Sequence, residues 1–195
     1  MHSFHILPRL CGAVLACLAT TLVAAAAQDL PAGVDPATGY RMDHYRAPTP
    51  DTLPGGTVAD YAMVEQATKD GSYQLIDVYA KGVKADPATG EWTVVEKREH
   101  IPTSIWLPGP GFGKLDAAQE AYFRRNLEAV TKGDKARGLL FYCMSDCWHS
   151  WNAAHRAIEW GYSHVAWYPL GTDGWREHGG AFVEVTPVNF LGSGS

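Results

Sequence analysis

The chain has 195 residues and a formal net charge of −5 at pH 7, with 46% hydrophobic and 19% charged residues. Its length is typical of a single domain, and an aromatic content of 11% excludes an intrinsically disordered chain. The acidic balance and the lack of a Lys/Arg cluster in the sequence argue against a nucleic-acid-binding protein. Four cysteines are too few for a disulfide scaffold.

Residues 1–27 have the pattern of a secretory signal peptide. A weakly positive start precedes an apolar run over residues 10–23, and small residues then offer a cleavage site near Ala27. The run is too short to cross a bilayer comfortably, so the protein is predicted not to span a membrane after signal removal. We therefore expect an exported, periplasmic protein. A buried N-terminal helix and a lipoprotein signal ending at Cys17 are the alternatives.

The segment after the signal, residues 28–56, is rich in Pro and Gly and lacks apolar periodicity. It is predicted to be an irregular extension that wraps the domain, which spans residues 57–192. The sequence DPATG occurs at Asp35–Gly39 and again at Asp86–Gly90. Asp-Pro followed by Gly is typical of a turn, so the repetition indicates a shared turn and not a functional repeat.

Helical and strand patterns alternate along residues 57–192, and Thr57 is predicted to cap the first helix. The predicted elements in chain order are a helix over Val58–Lys69, a strand over Gln74–Val78, an extra strand or hairpin over Glu91–Lys97, a strand over Ser104–Leu107, a helix over Asp116–Thr131, a strand over Gly138–Tyr142, a helix over Ser150–Trp160 and a strand over His164–Tyr168. This alternation predicts a single α/β domain with a mainly parallel sheet flanked by helices.

The chemistry is predicted to lie where the strand Gly138–Tyr142 is followed by a helix, because ligands of open α/β sheets bind beyond the carboxyl ends of the strands. Removal of the signal leaves two cysteines, and both lie in this connection. The predicted active-site loop consists of Cys143, Met144, Ser145, Asp146, Cys147, Trp148 and His149. Its backbone amides and the helix N-terminus would favour a thiolate, a persulfide or a bound oxyanion. A buried structural cysteine pair is the alternative.

Several stretches, in this order and spacing, resemble the rhodanese-like (sulfurtransferase-fold) domain from about Thr57 to Gly180. They are Leu75–Val78, His100–Pro102 followed by Leu107-Pro108, Leu139–Cys143, and a closing Gly-rich turn with a Trp at Gly171–Trp175. The resemblance implies that Cys143 takes the position of the nucleophile. Such a cysteine attacks a sulfane sulfur, holds it as a persulfide and passes it to a thiophilic acceptor.

The sequence CMSDCW, together with WNAA at Trp151–Ala154 and GTDGW at Gly171–Trp175, resembles an exported subgroup more closely. These are the CXXCW-motif proteins associated with pyrroloquinoline quinone (PQQ)-dependent catabolism. The resemblance implies a role accessory to quinoprotein alcohol oxidation, with a quinoprotein dehydrogenase or a c-type cytochrome as partner. Three residues separate the cysteines here, and not the two that the motif's label suggests.

The loop also departs from the usual sulfurtransferase pattern. Trp148 or His149 stands where an Arg often closes the loop, so a phosphate would lack its bidentate partner and phosphatase activity is disfavoured. The carboxylate of Asp146 would oppose an anionic sulfur donor such as thiosulfate. We expect no cofactor, and a sulfane-sulfur compound or a small thiol as ligand.

The second cysteine suggests a different chemistry. Residues four apart in a turn or helix bring their Cα atoms to about 6 Å, within the range of a disulfide. Cys143 as attacking thiolate and Cys147 as resolving thiol would then form a dithiol/disulfide couple. Two alternatives remain. One is a non-catalytic binding module, either a Cu(I) carrier with His149 as third ligand or an accessory protein. The other is a degenerate domain in which a permanent disulfide ties the loop.

Three further residues are predicted to support the loop. Asp77 is expected to bond to nearby backbone or to the loop, His100 to act as an architectural hydrogen-bonding group, and Asp173 to face the loop. His155 and Arg156 are expected on the solvated side of their helix.

Overall fold

The computed structural model of the chain describes Met1 and residues 30–192. Apart from Met1, the predicted signal peptide lies outside the described residues. The strands are β1 (Thr57–Val58), β2 (Tyr73–Asp77), β3 (Val83–Ala85), β4 (Trp92–Val94), β5 (Glu99–His100), β6 (Ile105–Trp106), β7 (Gly138–Tyr142), β8 (Val165–Tyr168) and β9 (Val183–Glu184). The helices are α1 (Tyr61–Asp70), α2 (Ala117–Thr131), α3 (Trp148–Glu159) and α4 (Gly171–Glu177).

The central sheet has five parallel strands in the order β1-β8-β7-β2-β6. Two antiparallel ribbons, β3 with β4 and β5 with β9, lie outside it. The predicted α/β class with a mainly parallel sheet is therefore confirmed. Among the described residues, no helix combines the length and the apolar character that a membrane span requires.

Strand β7 lies at the centre of the sheet because all five of its residues are apolar enough to be buried on both faces. Leu139 and Phe141 face a core cluster that contains Phe123 of α2 and Trp151 of α3. The alternate residues face a second cluster on the opposite side of the sheet, with side chains of α1. Helices on both faces thus place the carboxyl end of β7 in the interior.

The predicted cap of the first helix is wrong. Thr57 belongs to β1, which pairs with β8 at the edge of the sheet, and the cap is Asp60, whose carboxylate accepts from the Met63 amide at 2.8 Å. A β-branched residue suits an edge strand, whereas Asp is a stronger helix cap than Thr. The other end of this helix lies within one residue of the predicted Lys69, because Gly71, with φ 64°, caps α1 after Asp70.

The later elements lie close to their predicted bounds. The segment around Trp92–Val94 forms a hairpin, which was one of its two predicted structures. Both DPATG stretches are turns, as predicted, and in each the Asp carboxylate accepts a hydrogen bond from the backbone amide two residues later. Helix α3 starts at Trp148, two residues before the predicted start. The earlier start arises because the extension pairs with this turn: the Trp148 amide donates to the Tyr45 carbonyl at 2.9 Å.

Residues 30–56 contain no helix or strand and lie along the outer face of α3. The indole nitrogens of Trp148 and Trp151 donate to the Pro48 and Thr52 carbonyls, at 3.1 and 3.0 Å. Asn152, completely buried, accepts from the amide of Arg41 and donates to its carbonyl. These contacts fasten the extension to the helix that begins at the predicted active-site loop.

The same covering makes the prediction for His155 and Arg156 wrong, because both residues are buried. The Arg156 guanidinium donates to three carbonyls of the 110–113 segment and lies 4.1 Å from the Tyr40 ring. The His155 ring stacks on Trp151 at 5.0 Å. A polar face of α3 is thus covered by the extension, which has no secondary structure. The periodicity of the sequence alone does not indicate this covering.

We predict that Asn152→Ala lowers the free energy of unfolding by about 2 kcal/mol, because part-buried backbone groups of Arg41 and the buried Gly111 carbonyl lose their partner. Denaturant titration monitored by tryptophan fluorescence measures the change. The control is Gln66→Ala, on the exposed face of α1, which should leave the unfolding midpoint unchanged. Equal midpoints for the two variants would contradict the fastening role of Asn152.

Candidate functional site

The two cysteines of the loop lie side by side at the carboxyl end of β7. Cys143 directly follows the strand and Cys147 occupies the N-cap position of α3. Both are free and buried, with exposed fractions of 0% and 3% respectively, and each thiol shifts the pKa of the other. The folded chain therefore brings together the pair that the sequence predicts.

The start of α4 holds the first half of the loop. Met144 forms an isolated antiparallel bridge with Gly171, and the Thr172 amide donates to the Cys143 carbonyl at 3.2 Å. Gly171 has φ 51°, and a Cβ there would lie 2.6 Å from the Met144 Cα, so only glycine fits. The sequence Gly171–Trp175, interpreted above as a closing turn, is thus the first part of the short helix α4, which holds the loop in place.

Asp173 faces the loop from α4. Its carboxylate accepts from the Ser145 amide at 3.1 Å and from the Ser145 hydroxyl at 2.7 Å. Asp146 is exposed with φ 49°, and its carbonyl accepts from the Ala47 amide at 3.2 Å. The loop is therefore tied both to α4 and to the extension.

These ties occupy groups that the sequence assigns to anion binding. The Ser145 amide donates to Asp173 and the Trp148 amide donates to Tyr45, so neither is free for an external oxyanion. At these two positions the backbone amides that were predicted to bind an anion are already hydrogen-bonded to acceptors of the protein itself. Positive charge comes instead from side chains, and the guanidinium of Arg46 donates to the Ser145 carbonyl.

A cavity of about 190 Å³ opens beside the second cysteine. It is lined by Tyr45, Arg46, Tyr79, Lys81, Met144, Cys147 and His149. Cys143 and Asp146 are not among its lining residues, and the predicted opposition of Asp146 to an anionic donor stays a prediction. The walls are largely aromatic and carry two cationic side chains.

His149 forms one wall of the cavity. Its ring lies 4.4 Å from that of Tyr45 and 4.9 Å from that of Phe112. Its Nε2 atom is buried and has no hydrogen-bond partner within residues 30–192. Within the same range, no three His, Cys, Asp or Glu side chains are grouped to hold a metal ion, so the predicted Cu(I) ligand set is not assembled.

The two thiols differ in acidity. The neighbouring Cys143 thiol and, to a smaller extent, His149 together lower the pKa of Cys147 to about 5 against the opposing effect of burial. Burial raises the pKa of Cys143 well above its ordinary range, and the neighbouring Cys147 raises it again. At neutral pH these shifts favour a Cys147 thiolate beside a protonated Cys143 thiol.

A buried ion pair lies behind the loop. The Arg98 guanidinium donates to both carboxylate oxygens of Asp77, at 2.7 and 3.1 Å, and to the Cys143 carbonyl at 2.8 Å. His100 Nδ1 lies 3.0 Å from the same carboxylate, and the Tyr79 amide donates to it at 2.9 Å. Asp77 thus bonds to nearby backbone and His100 lies against its carboxylate, while the supporting role of both residues stays a prediction.

Sequence reasoning missed the cationic residues of the site. Arg98 precedes Cys143 by 45 residues and Arg46 precedes Ser145 by 99, and no local motif marks either one. The one available signal is chemical: a buried carboxylate such as Asp77 requires a cationic partner somewhere in the fold.

We predict that Arg98→Met lowers the free energy of unfolding by about 3 kcal/mol, since it leaves Asp77 buried without its counter-charge. Denaturant unfolding measures the loss. Lys97→Met is the matched control, because its ion pair with Glu184 is exposed, and it should not change the midpoint. An unchanged midpoint for Arg98→Met would show that the pair does not stabilise the fold.

Comparison with known proteins accords with this geometry. The rhodanese-like domain family matches residues 60–178, within the predicted domain of 57–192. The chain is 32% identical over 113 residues to a thiosulfate:glutathione sulfurtransferase of Saccharomyces cerevisiae, covering 56% of this chain and 80% of that protein.

Two solved structures show lower similarity. One is the thiosulfate sulfurtransferase from Pseudomonas aeruginosa, with 16% identity, a TM-score of 0.47, and coverage of 69% of this chain and 21% of that one. The other is the anaerobic ergothioneine biosynthesis enzyme from Chlorobium limicola, with 17% identity, a TM-score of 0.45, and coverage of 67% and 32%. With a cysteine pair at the end of a central parallel strand and a family match over most of the domain, the chain belongs to the rhodanese-like family.

Proposed function

We propose that the protein is a sulfurtransferase of the rhodanese-like family that uses Cys143 and Cys147 together, for sulfur transfer or for thiol–disulfide chemistry. One observation carries this proposal: two free, neighbouring thiols lie at the carboxyl end of β7, and one of them lines a cavity. A thiolate paired with a thiol is suited to attack on sulfur.

The cavity supports a small anionic sulfur compound as the donor. Arg46 and Lys81 supply positive charge, while Tyr45 and Tyr79 supply apolar walls. The yeast relative is named for thiosulfate and glutathione, and we extend that substrate class, a sulfane-sulfur anion and a thiol, to this chain.

We predict that the reduced protein reacts with thiosulfate or an organic persulfide at its cysteine pair. Intact-mass analysis should show either the gain of one sulfur atom or the loss of two hydrogen atoms, which marks a disulfide. The double variant Cys143→Ser/Cys147→Ser should keep its mass under the same conditions. A wild-type mass that stays constant with both donors would contradict the proposed function.

We also propose that the chain is exported to the periplasm and serves PQQ-dependent oxidation of alcohols. The pattern of residues 1–27 and the resemblance of the CMSDCW loop to the CXXCW subgroup support this setting. In this setting a quinoprotein dehydrogenase or a c-type cytochrome is the partner.

The location has a direct measurement. Fractionation of the native host should recover the protein in the periplasm, with an N-terminus at or near Gln28, and a quinoprotein dehydrogenase or c-type cytochrome should co-purify with it. Recovery of the uncleaved chain from the cytoplasmic fraction would refute export. Recovery from the periplasm without either partner would refute the accessory role alone.

A further inference from the structure

The two cysteines have different surroundings, although the resemblance assigns the attacking role to Cys143. Cys143 is completely buried, and Arg98 and Thr172 hold its carbonyl. The first residue of α4, Gly171, packs so closely that a Cβ there would lie 2.7 Å from the Cys143 carbonyl carbon. Cys147 instead lines the cavity. A donor that enters this cavity therefore meets Cys147.

The charges of the cavity favour the same sulfur. Arg46, Lys81 and Cys147 line the same cavity, and His149 also lines it. An anionic donor held by these side chains would lie against Cys147. The cation nearest to Cys143, Arg98, is already engaged by Asp77 and by the Cys143 carbonyl, so it offers less to a ligand.

We infer that Cys147 attacks the sulfane donor and that Cys143 resolves the resulting persulfide, so that the protein reduces sulfane sulfur to hydrosulfide. This inference rests on the proposed function of the pair. It reverses the order of the two cysteines that the resemblance implies.

The reaction has two steps. In the first, the Cys147 thiolate attacks the outer sulfur of thiosulfate; the sulfur–sulfur bond of the donor breaks, sulfite leaves with the electron pair, and Cys147 carries a persulfide. In the second, the Cys143 sulfur attacks the Cys147 Sγ while its proton passes to the departing sulfur. Hydrosulfide leaves and a Cys143–Cys147 disulfide remains. The pair is oxidised by two electrons, the sulfane sulfur is reduced by two, and an external dithiol restores the thiols.

The protonation states match these roles. The neighbouring Cys143 thiol and His149 lower the pKa of Cys147 to about 5, which favours its thiolate at neutral pH. Burial and the neighbouring Cys147 raise the pKa of Cys143 and keep its thiol protonated. Its proton is therefore available to the leaving sulfur. Once a persulfide forms on Cys147, the thiol that already contacts its Sγ is the nearest nucleophile.

Single-cysteine variants test the order. Reduced Cys143→Ser, incubated with thiosulfate, should gain one sulfur atom on Cys147 and release no hydrosulfide. Cys147→Ser, the matched control, should gain no sulfur. The wild type should release one hydrosulfide per chain and lose two hydrogen atoms, and a dithiol should restore its mass. Thermal unfolding of both variants checks that the fold is retained.

A measurement on the wild type covers the case of a variant that fails to fold. With one equivalent of iodoacetamide, peptide mapping should find the label on Cys147, and the labelling rate should rise with a midpoint near pH 5.

Each alternative result decides between the two claims. Sulfur on Cys143 in the Cys147→Ser variant, or a label on Cys143, would overturn the inference and leave the proposed function intact. A stable wild-type persulfide without hydrosulfide release would overturn the resolving step. A wild type that does not react with sulfane donors would overturn the proposed function and the inference together.

Discussion

The ion pair between Asp77 and Arg98 is the contact on which the site depends. Asp77 ends β2 in a completely buried position, where an unpaired carboxylate would cost several kcal/mol. Arg98 neutralises it through Nε and Nη2, and Nη2 also donates to the Cys143 carbonyl. One guanidinium thus connects the end of β2, the segment before β5 and the start of the active-site loop. The residue that neutralises the buried charge thus also holds the carbonyl of the first cysteine.

The N-terminal extension completes the site from the other side. Its residues 45–47 pair with the turn that contains Cys147, and they supply an aromatic wall and a cation to the cavity. In doing so they occupy the Trp148 amide at the start of α3. A site that the strand-to-helix geometry would make an oxyanion cradle becomes a small pocket in front of a thiolate. The extension therefore affects which ligand the loop can accept.

The central elements were predictable because their burial is visible in the pattern of a few adjacent residues. Strand β7 is a continuous apolar run and α2 has a capping box of Asp116 with Gln119, features that appear in a few adjacent residues. The cap of α1 and the start of α3 were misplaced because tertiary pairing, with β8 and with Tyr45, decided them. The burial of His155 and Arg156 was missed for the same reason, since the covering segment has no periodicity.

The sequence by itself determined the fold class and the location of both cysteines at the end of a buried strand, because apolar runs and cysteine spacing are local properties. The tertiary structure decided how the two cysteines differ. It buries Cys143 behind α4 and Arg98, and it opens the side of Cys147 to a cavity with Arg46 and Lys81. Exposure, hydrogen bonding and the pKa of each thiol depend on residues far apart in the chain, and only folding brings those residues together.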